Sequence, residues 1–209
     1  MNVLVIAPHP DDEVLGCGGT IAKYAANGDE VYVCVVTKGR EPLFSPEAVE
    51  RVREECRKAD VYLGVREVIF LDFPAAMLEE IPRYKLNDAL VKVIQRIKPE
   101  IVYIPHQGDM QLDHKLTSDA CMVAIRPKYE HVVKKIYAYE TLSETGWNIP
   151  NTSNEFNPNA YNDISDYLDK KIRAMQLYAS QLFDFPNARS VKAIEALAEY
   201  RGAVMGLNA

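Results

Sequence analysis

An apolar run, Val3-Leu4-Val5-Ile6-Ala7, empties at once into Pro8-His9-Pro10-Asp11-Asp12-Glu13, and Gly16, Gly18 and Gly19 follow. The run has the length and the closing turn signal of a buried strand. Polar groups set where such a strand ends are costly unless a cation or hydrogen bonds balance them. Two readings stand at this point. One is a metal site built on an imidazole and its neighbouring carboxylates; the other is a capped helix start with solvated acids.

Apolar strands alternate with amphipathic helices along the rest of the chain. A helix is expected over 12–26, stopped at Asn27-Gly28, and then a strand over 30–37. Ser45 and Pro46 open a charged helix that Gly64 ends, and a third strand covers 67–72. A helix over 85–97 ends at Pro99, a fourth strand spans 101–104, a helix runs over about 114–125, and a fifth strand covers 132–139. The segment Ser143–Asn162, rich in Asn, Pro and Thr, is the longest irregular stretch, a candidate lid or contact between copies. Helices are expected over about 164–182 and 190–205. This alternation implies an α/β, Rossmann-like three-layer fold with a mostly parallel sheet and helices on both faces, built as one domain over 1–209. Such sheets place ligands beyond the carboxyl ends of their strands. His9, Asp72 and His106 all fall there.

Composition removes several function classes. The chain carries a formal net charge of −6 and no strongly basic segment, so nucleic acid is not an expected partner. The acidic balance also disfavours anionic membrane surfaces, and no apolar run approaches the ~20 residues that span a bilayer. Cys17, Cys34, Cys56 and Cys121 show no C-x-x-C spacing, which argues against a zinc–thiolate site and a disulfide framework. The chain opens directly on a core strand, so a cytoplasmic protein without a signal peptide is expected.

His9 and Asp12, three residues apart across a strand-to-helix turn, can aim at one point, and their donor atoms suit zinc or a similar divalent metal. The best source of a third ligand is Gln111-Leu112-Asp113-His114, just beyond the fourth strand, because strands one and four can be neighbours. His9, Asp12 and His114 then leave an open position for water, the arrangement of a catalytic site. His106 is the reserve ligand, a substrate contact or a satisfied loop histidine. Asp11 is the natural proton carrier beside an activated water, or simply a helix cap. Glu13 belongs to the helix start and supports a ligand. The glycines do not make a dinucleotide fingerprint, because carboxylates occupy the turn where a pyrophosphate needs N–H donors. They fit close helix–sheet packing instead. His131 has no such company and is expected at the surface.

Together, His9-Pro10-Asp11-Asp12-Glu13 and Asp113-His114 resemble the LmbE-like (PIG-L) metal-dependent N-deacetylases. Leu63-Gly64-Val65, Leu71-Asp72-Phe73-Pro74, Lys98-Pro99-Glu100-Ile101-Val102, Gly108-Asp109 and Arg189-Ser190 extend the resemblance over most of the chain. It implies a Rossmann-like fold and hydrolysis of an acetamide on an N-acetylated amino sugar or conjugate, usually with zinc. It implies His9, Asp12 and His114 as metal ligands and Asp11 as general base. Arg51 or Arg53 matches a family arginine near the substrate, and Asp113 and His106 are placed with the substrate-facing groups. Self-association of the chain is also expected. Two positions depart from the family pattern. Gln111 stands where many members have a histidine; it can donate to an oxyanion but cannot shuttle a proton. Ala75 replaces an acidic residue used for sugar hydroxyls. Both departures keep open a metal-binding sugar-recognition module with little turnover. Family members also tend to continue beyond the point matching Ala209, so the tail reads as short or truncated.

Overall fold

The structure, a computed structural model, describes residues 1–209. Its elements in chain order are β1 (Asn2–Ala7), α1 (Asp12–Ala26), β2 (Glu30–Lys38), α2 (Pro46–Leu63), β3 (Glu67–Pro74) and α3 (Arg83–Ile97). Then come β4 (Ile101–Pro105), α4 (Leu112–Ala124), β5 (Lys135–Tyr139), α5 (Leu168–Leu177) and α6 (Val191–Val204). Short 3₁₀ turns sit at Leu78–Glu80 and Ser165–Tyr167.

All neighbouring strands pair in parallel, in the order β3-β2-β1-β4-β5. The chain first winds outward from β1 through β2 to β3, then returns to lay β4 on the other side of β1. The reversal leaves a crevice beyond the carboxyl ends of β1 and β4, where ligand sites form in open α/β sheets.

Side-chain alternation sorts β1 between two cores. Val3 and Val5 face α1, α2, α5 and α6, whereas Leu4 and Ile6 face α3 and α4. A strand covered on both faces must be apolar throughout, which is why its sequence reads as an unbroken run. The helix ends follow local chemistry. Ser45 accepts the Ala48 N–H at 3.2 Å, and Gly64 closes α2 in the left-handed region at φ 89°. Ser190 accepts the Ala193 N–H at 3.2 Å at the start of α6.

Some expectations shift. Helix α5 ends at Leu177, not near 182, because the next residues turn away to bond elsewhere. β5 pairs only from Lys135, where it meets Ile101. Gly16 does allow a helix–sheet approach, since a side chain there would overlap the Tyr139 ring; Gly18 and Gly19 face Lys171 and Ile164 instead. His131 is half-buried, with Nε2 at 2.6 Å from the Pro99 carbonyl. All four cysteines are free and buried. No helix is long and apolar enough to cross a membrane.

Candidate metal centre

The exit of β1 is pinned to the end of β2: the Thr37 N–H and hydroxyl both donate to the Pro8 carbonyl, at 3.0 and 2.8 Å. The following turn returns Asp12 toward His9, whose backbone N–H donates to Asp12 Oδ2 at 2.9 Å. From β4, the polar loop and first turn of α4 bring His114 to the same point. Asp12 and His114 are fully buried.

The donor atoms converge. Asp12 Oδ2 lies 3.2 Å from His9 Nδ1 and 3.2 Å from His114 Nε2, and one ligand atom from each residue lies within 4.8 Å of the others. Ligands about 2.0–2.2 Å from a tetrahedral zinc stand roughly 3.3–3.6 Å apart, so the spacing matches such an ion. The outer ring nitrogens are held by carboxylates: His9 Nε2 lies 2.9 Å from Asp113 Oδ2, and His114 Nδ1 lies 2.9 Å from Asp109 Oδ2. With the ring protons on those outer atoms, both inner nitrogens present lone pairs to the centre. Thr145 in turn donates to Asp109 Oδ1 at 2.6 Å, and the Ala76 N–H donates to Asp113 Oδ2 at 2.6 Å.

His114 Nε2 and Asp12 Oδ1 have no hydrogen-bond partner although both are buried. Such orphans are expensive and rare in native interiors. A divalent cation between the two imidazoles and the Asp12 carboxylate would satisfy His114 Nε2, so the donor set fits the group that the sequence pattern implies. The local electrostatics agree. Burial opposes charge on His9, yet hydrogen bonds to Asp113 and Asp12 carry it up to about 9. Burial opposes charge on His114 too, and the Asp12 charge and the Asp109 hydrogen bond lift it to about 10. The surrounding carboxylates demand positive charge at this point, and a cation supplies it without protons.

Asp11 occupies the N-cap position of α1, but its side chain caps nothing. Its backbone is left-handed at φ 106°, a strained state for a non-glycine residue. The carboxylate instead takes a 2.8 Å bond from Arg189 Nη1. Burial raises the Asp11 carboxyl to about 7, and the Arg189 guanidinium holds it from rising further.

The remaining expected residues are more scattered. Gln111 sits at the N-cap of α4 with a buried, unpartnered Oε1. Asp113, expected at the substrate, is instead 1% exposed and turned onto His9 and Ala76. His106 meets the Asn154 carbonyl at 3.2 Å and the edge of Phe156, under the irregular segment. Arg53 pairs with Asp72 at 2.7 Å and lies over Phe70, whereas Arg51 is exposed.

Arg189 and Asp109 were missed as site residues. Gly108-Asp109 is a visible signal five residues before His114, but Arg189 lies 178 residues from Asp11 and no local pattern announces the pair. A second cluster, Glu13, Cys56 and Asp60, also has close donor atoms. It is a poorer metal site: burial pushes the Cys56 thiol well above its ordinary value, and Glu13 already accepts from the Tyr178 hydroxyl and the Asp11 N–H.

The chain is similar to several known proteins. A probable N-acetyl-α-D-glucosaminyl L-malate deacetylase 2 from Bacillus anthracis is 27% identical over 213 residues, covering 97% of this chain and 88% of the relative. A diacetylchitobiose deacetylase from Thermococcus kodakarensis is 30% identical over 204 residues, covering 86% of this chain and 70% of the relative. The crystal structure of the conserved protein TT1542 from Thermus thermophilus superposes with a TM-score of 0.80 at 28% identity, over 99% of this chain and 90% of that one. The family model for GlcNAc-PI de-N-acetylases matches residues 4–125, a stretch that runs from within β1 past β4 and includes the Asp12 carboxylate and both converging histidines. The chain therefore belongs to the PIG-L family of deacetylases.

Proposed function

We propose that this protein is a zinc-dependent hydrolase that removes the acetyl group from an N-acetylated amino sugar or sugar conjugate. The observation that carries the reading is the pair of buried, unpartnered donor atoms, His114 Nε2 and Asp12 Oδ1, beside a carboxylate that has no structural bond of its own to α1. The substrate class is taken from the relatives, which are named as deacetylases of a glucosaminyl malate and of diacetylchitobiose.

His9 Nδ1, Asp12 and His114 Nε2 would hold the metal. A divalent cation in that position acts as a Lewis acid toward a carbonyl oxygen and lowers the pKa of water. Asp11 takes a proton from the water whose oxygen attacks the acetyl carbon. Gln111, at the N-cap of α4, would donate through its amide to the oxygen of the tetrahedral intermediate. As the C–N bond breaks, Asp11 returns its proton to the nitrogen, leaving acetate and a free amine. Arg189 holds the Asp11 side chain in place through both transfers.

Acetate release from a panel of N-acetylglucosamine derivatives by zinc-loaded protein tests the reading. Turnover that a chelator abolishes and zinc restores is expected. Gln111 and Ala75 favour the other reading, a recognition module. Sugar binding by zinc-loaded protein, with acetate no higher than in a protein-free control, would establish that one instead.

The carboxylates behind the histidines give a separate prediction. Asp109→Asn should weaken zinc binding by about 10–100-fold, because the amide orients the His114 ring less firmly and makes it less basic. Competition against a chelator of known affinity measures this. Unchanged affinity would remove Asp109 from the site.

A further inference from the structure

Beyond the end of α5 the chain turns through Tyr178, Ser180 and Gln181 and reaches Asp11 by two routes. Tyr178 is fully buried, and its hydroxyl donates to Glu13 Oε1 at 2.5 Å. The other Glu13 oxygen accepts the Asp11 backbone N–H at 3.0 Å. By the second route, Gln181 Oε1 accepts from Arg189 Nη1 at 3.3 Å, and the same nitrogen donates to Asp11 Oδ2 at 2.8 Å. The turn is itself anchored to α2: Glu55 accepts the Ser180 N–H at 3.1 Å and the Ser180 hydroxyl at 2.5 Å. Gln181 Nε2 then donates back to Ser180 Oγ at 3.0 Å.

We infer that this turn positions Asp11 for catalysis, with Tyr178 fixing its backbone through Glu13 and Gln181 fixing its carboxylate through Arg189. The inference rests on the base role proposed for Asp11. Asp11 needs both restraints, because its left-handed backbone is strained and its side chain makes no bond to the helix that follows. Local sequence supplies Glu13 and the α1 bonds to the Asp11 carbonyl, but the Tyr178 and Arg189 contacts come from distant segments. No residue of the turn bonds to His9, Asp12 or His114, so metal binding and proton transfer are separable. A displacement near 1 Å of a reacting group can cost about 100-fold in rate. Tyr178, Gln181 and Arg189 are positioning residues in this scheme.

The test uses zinc-loaded full-length protein and the panel substrate that gives acetate. Tyr178→Phe and Gln181→Met should each lower kcat by about 10-fold, and Arg189→Met by about 100-fold, with KM and zinc stoichiometry unchanged. Arg189→Lys, which restores a cation, should recover part of the loss. Amide exchange at Asp11 should quicken in Tyr178→Phe, a readout that needs no turnover. If these variants keep wild-type kcat and Asp11 protection while Asp11→Asn is inactive, the positioning role is overturned and the base role stands. If the variants lose thermal stability but not kcat, the turn is merely structural. Substantial turnover in Asp11→Asn overturns both.

Discussion

Replacing Asp11 by asparagine lowers kcat for acetate release by roughly 100- to 10,000-fold, the usual contribution of a general acid–base group. The zinc stoichiometry stays near that of the unchanged chain. Asparagine keeps the size and one acceptor oxygen but cannot take the water proton or return one to the leaving nitrogen. It also weakens the bond from Arg189, since a neutral amide replaces a carboxylate. The metal should survive, because Asp12 and the two histidines are held by Asp109, Asp113 and the His9 backbone rather than by the Asp11 side chain. Initial-rate kinetics alongside metal analysis check both halves. Turnover within a few-fold of wild type would remove Asp11 from the chemistry, and metal loss would move it into the ligand set.

His114→Ala has the opposite signature: zinc and activity are lost together. The imidazole is fully buried, so its removal leaves Asp12 and His9, a pair that holds a divalent ion weakly, beside an apolar gap. It also strands the Asp109 carboxylate, whose Oδ2 loses its ring partner. An uncompensated buried charge costs about 3–5 kcal/mol, so the variant's melting temperature should fall as well. Metal content, acetate release and thermal unfolding are the measurements. A variant that retains about one zinc per chain would place the ion elsewhere.

Much of the fold was legible because its signals are local. Ser45-Pro46, Gly64, Asn27-Gly28 and Pro99 mark helix boundaries through backbone chemistry that acts within a few residues. The unbroken apolar runs announced strands covered on both faces, and the winding order then made β1 and β4 neighbours, which is what allowed His9 and His114 to be paired. The failures have a different origin. Nothing in Tyr178-Ala179-Ser180-Gln181 breaks a helix; α5 stops there because Glu55, from α2, binds Ser180. Asp113 adjoins a metal-ligand candidate in sequence and so reads as facing the substrate. Only the approach of the Ala76 N–H from the loop after β3 shows it turned onto His9 instead. His106 is open in the sequence between ligand, substrate contact and satisfied loop histidine, and its bond to the Asn154 carbonyl fits the last. Arg189 meets Asp11 through tertiary packing alone.

Zinc K-edge X-ray absorption on protein purified without chelator tests the central claim most directly. Expected is a light-atom shell at about 2.0–2.2 Å, with outer-shell scattering from two imidazoles and no sulfur near 2.3 Å. That signal should vanish in His114→Ala. A sulfur contribution would put the ion beside Cys56, in the acidic cluster of Glu13 and Asp60, and would contradict the assignment of His9, Asp12 and His114.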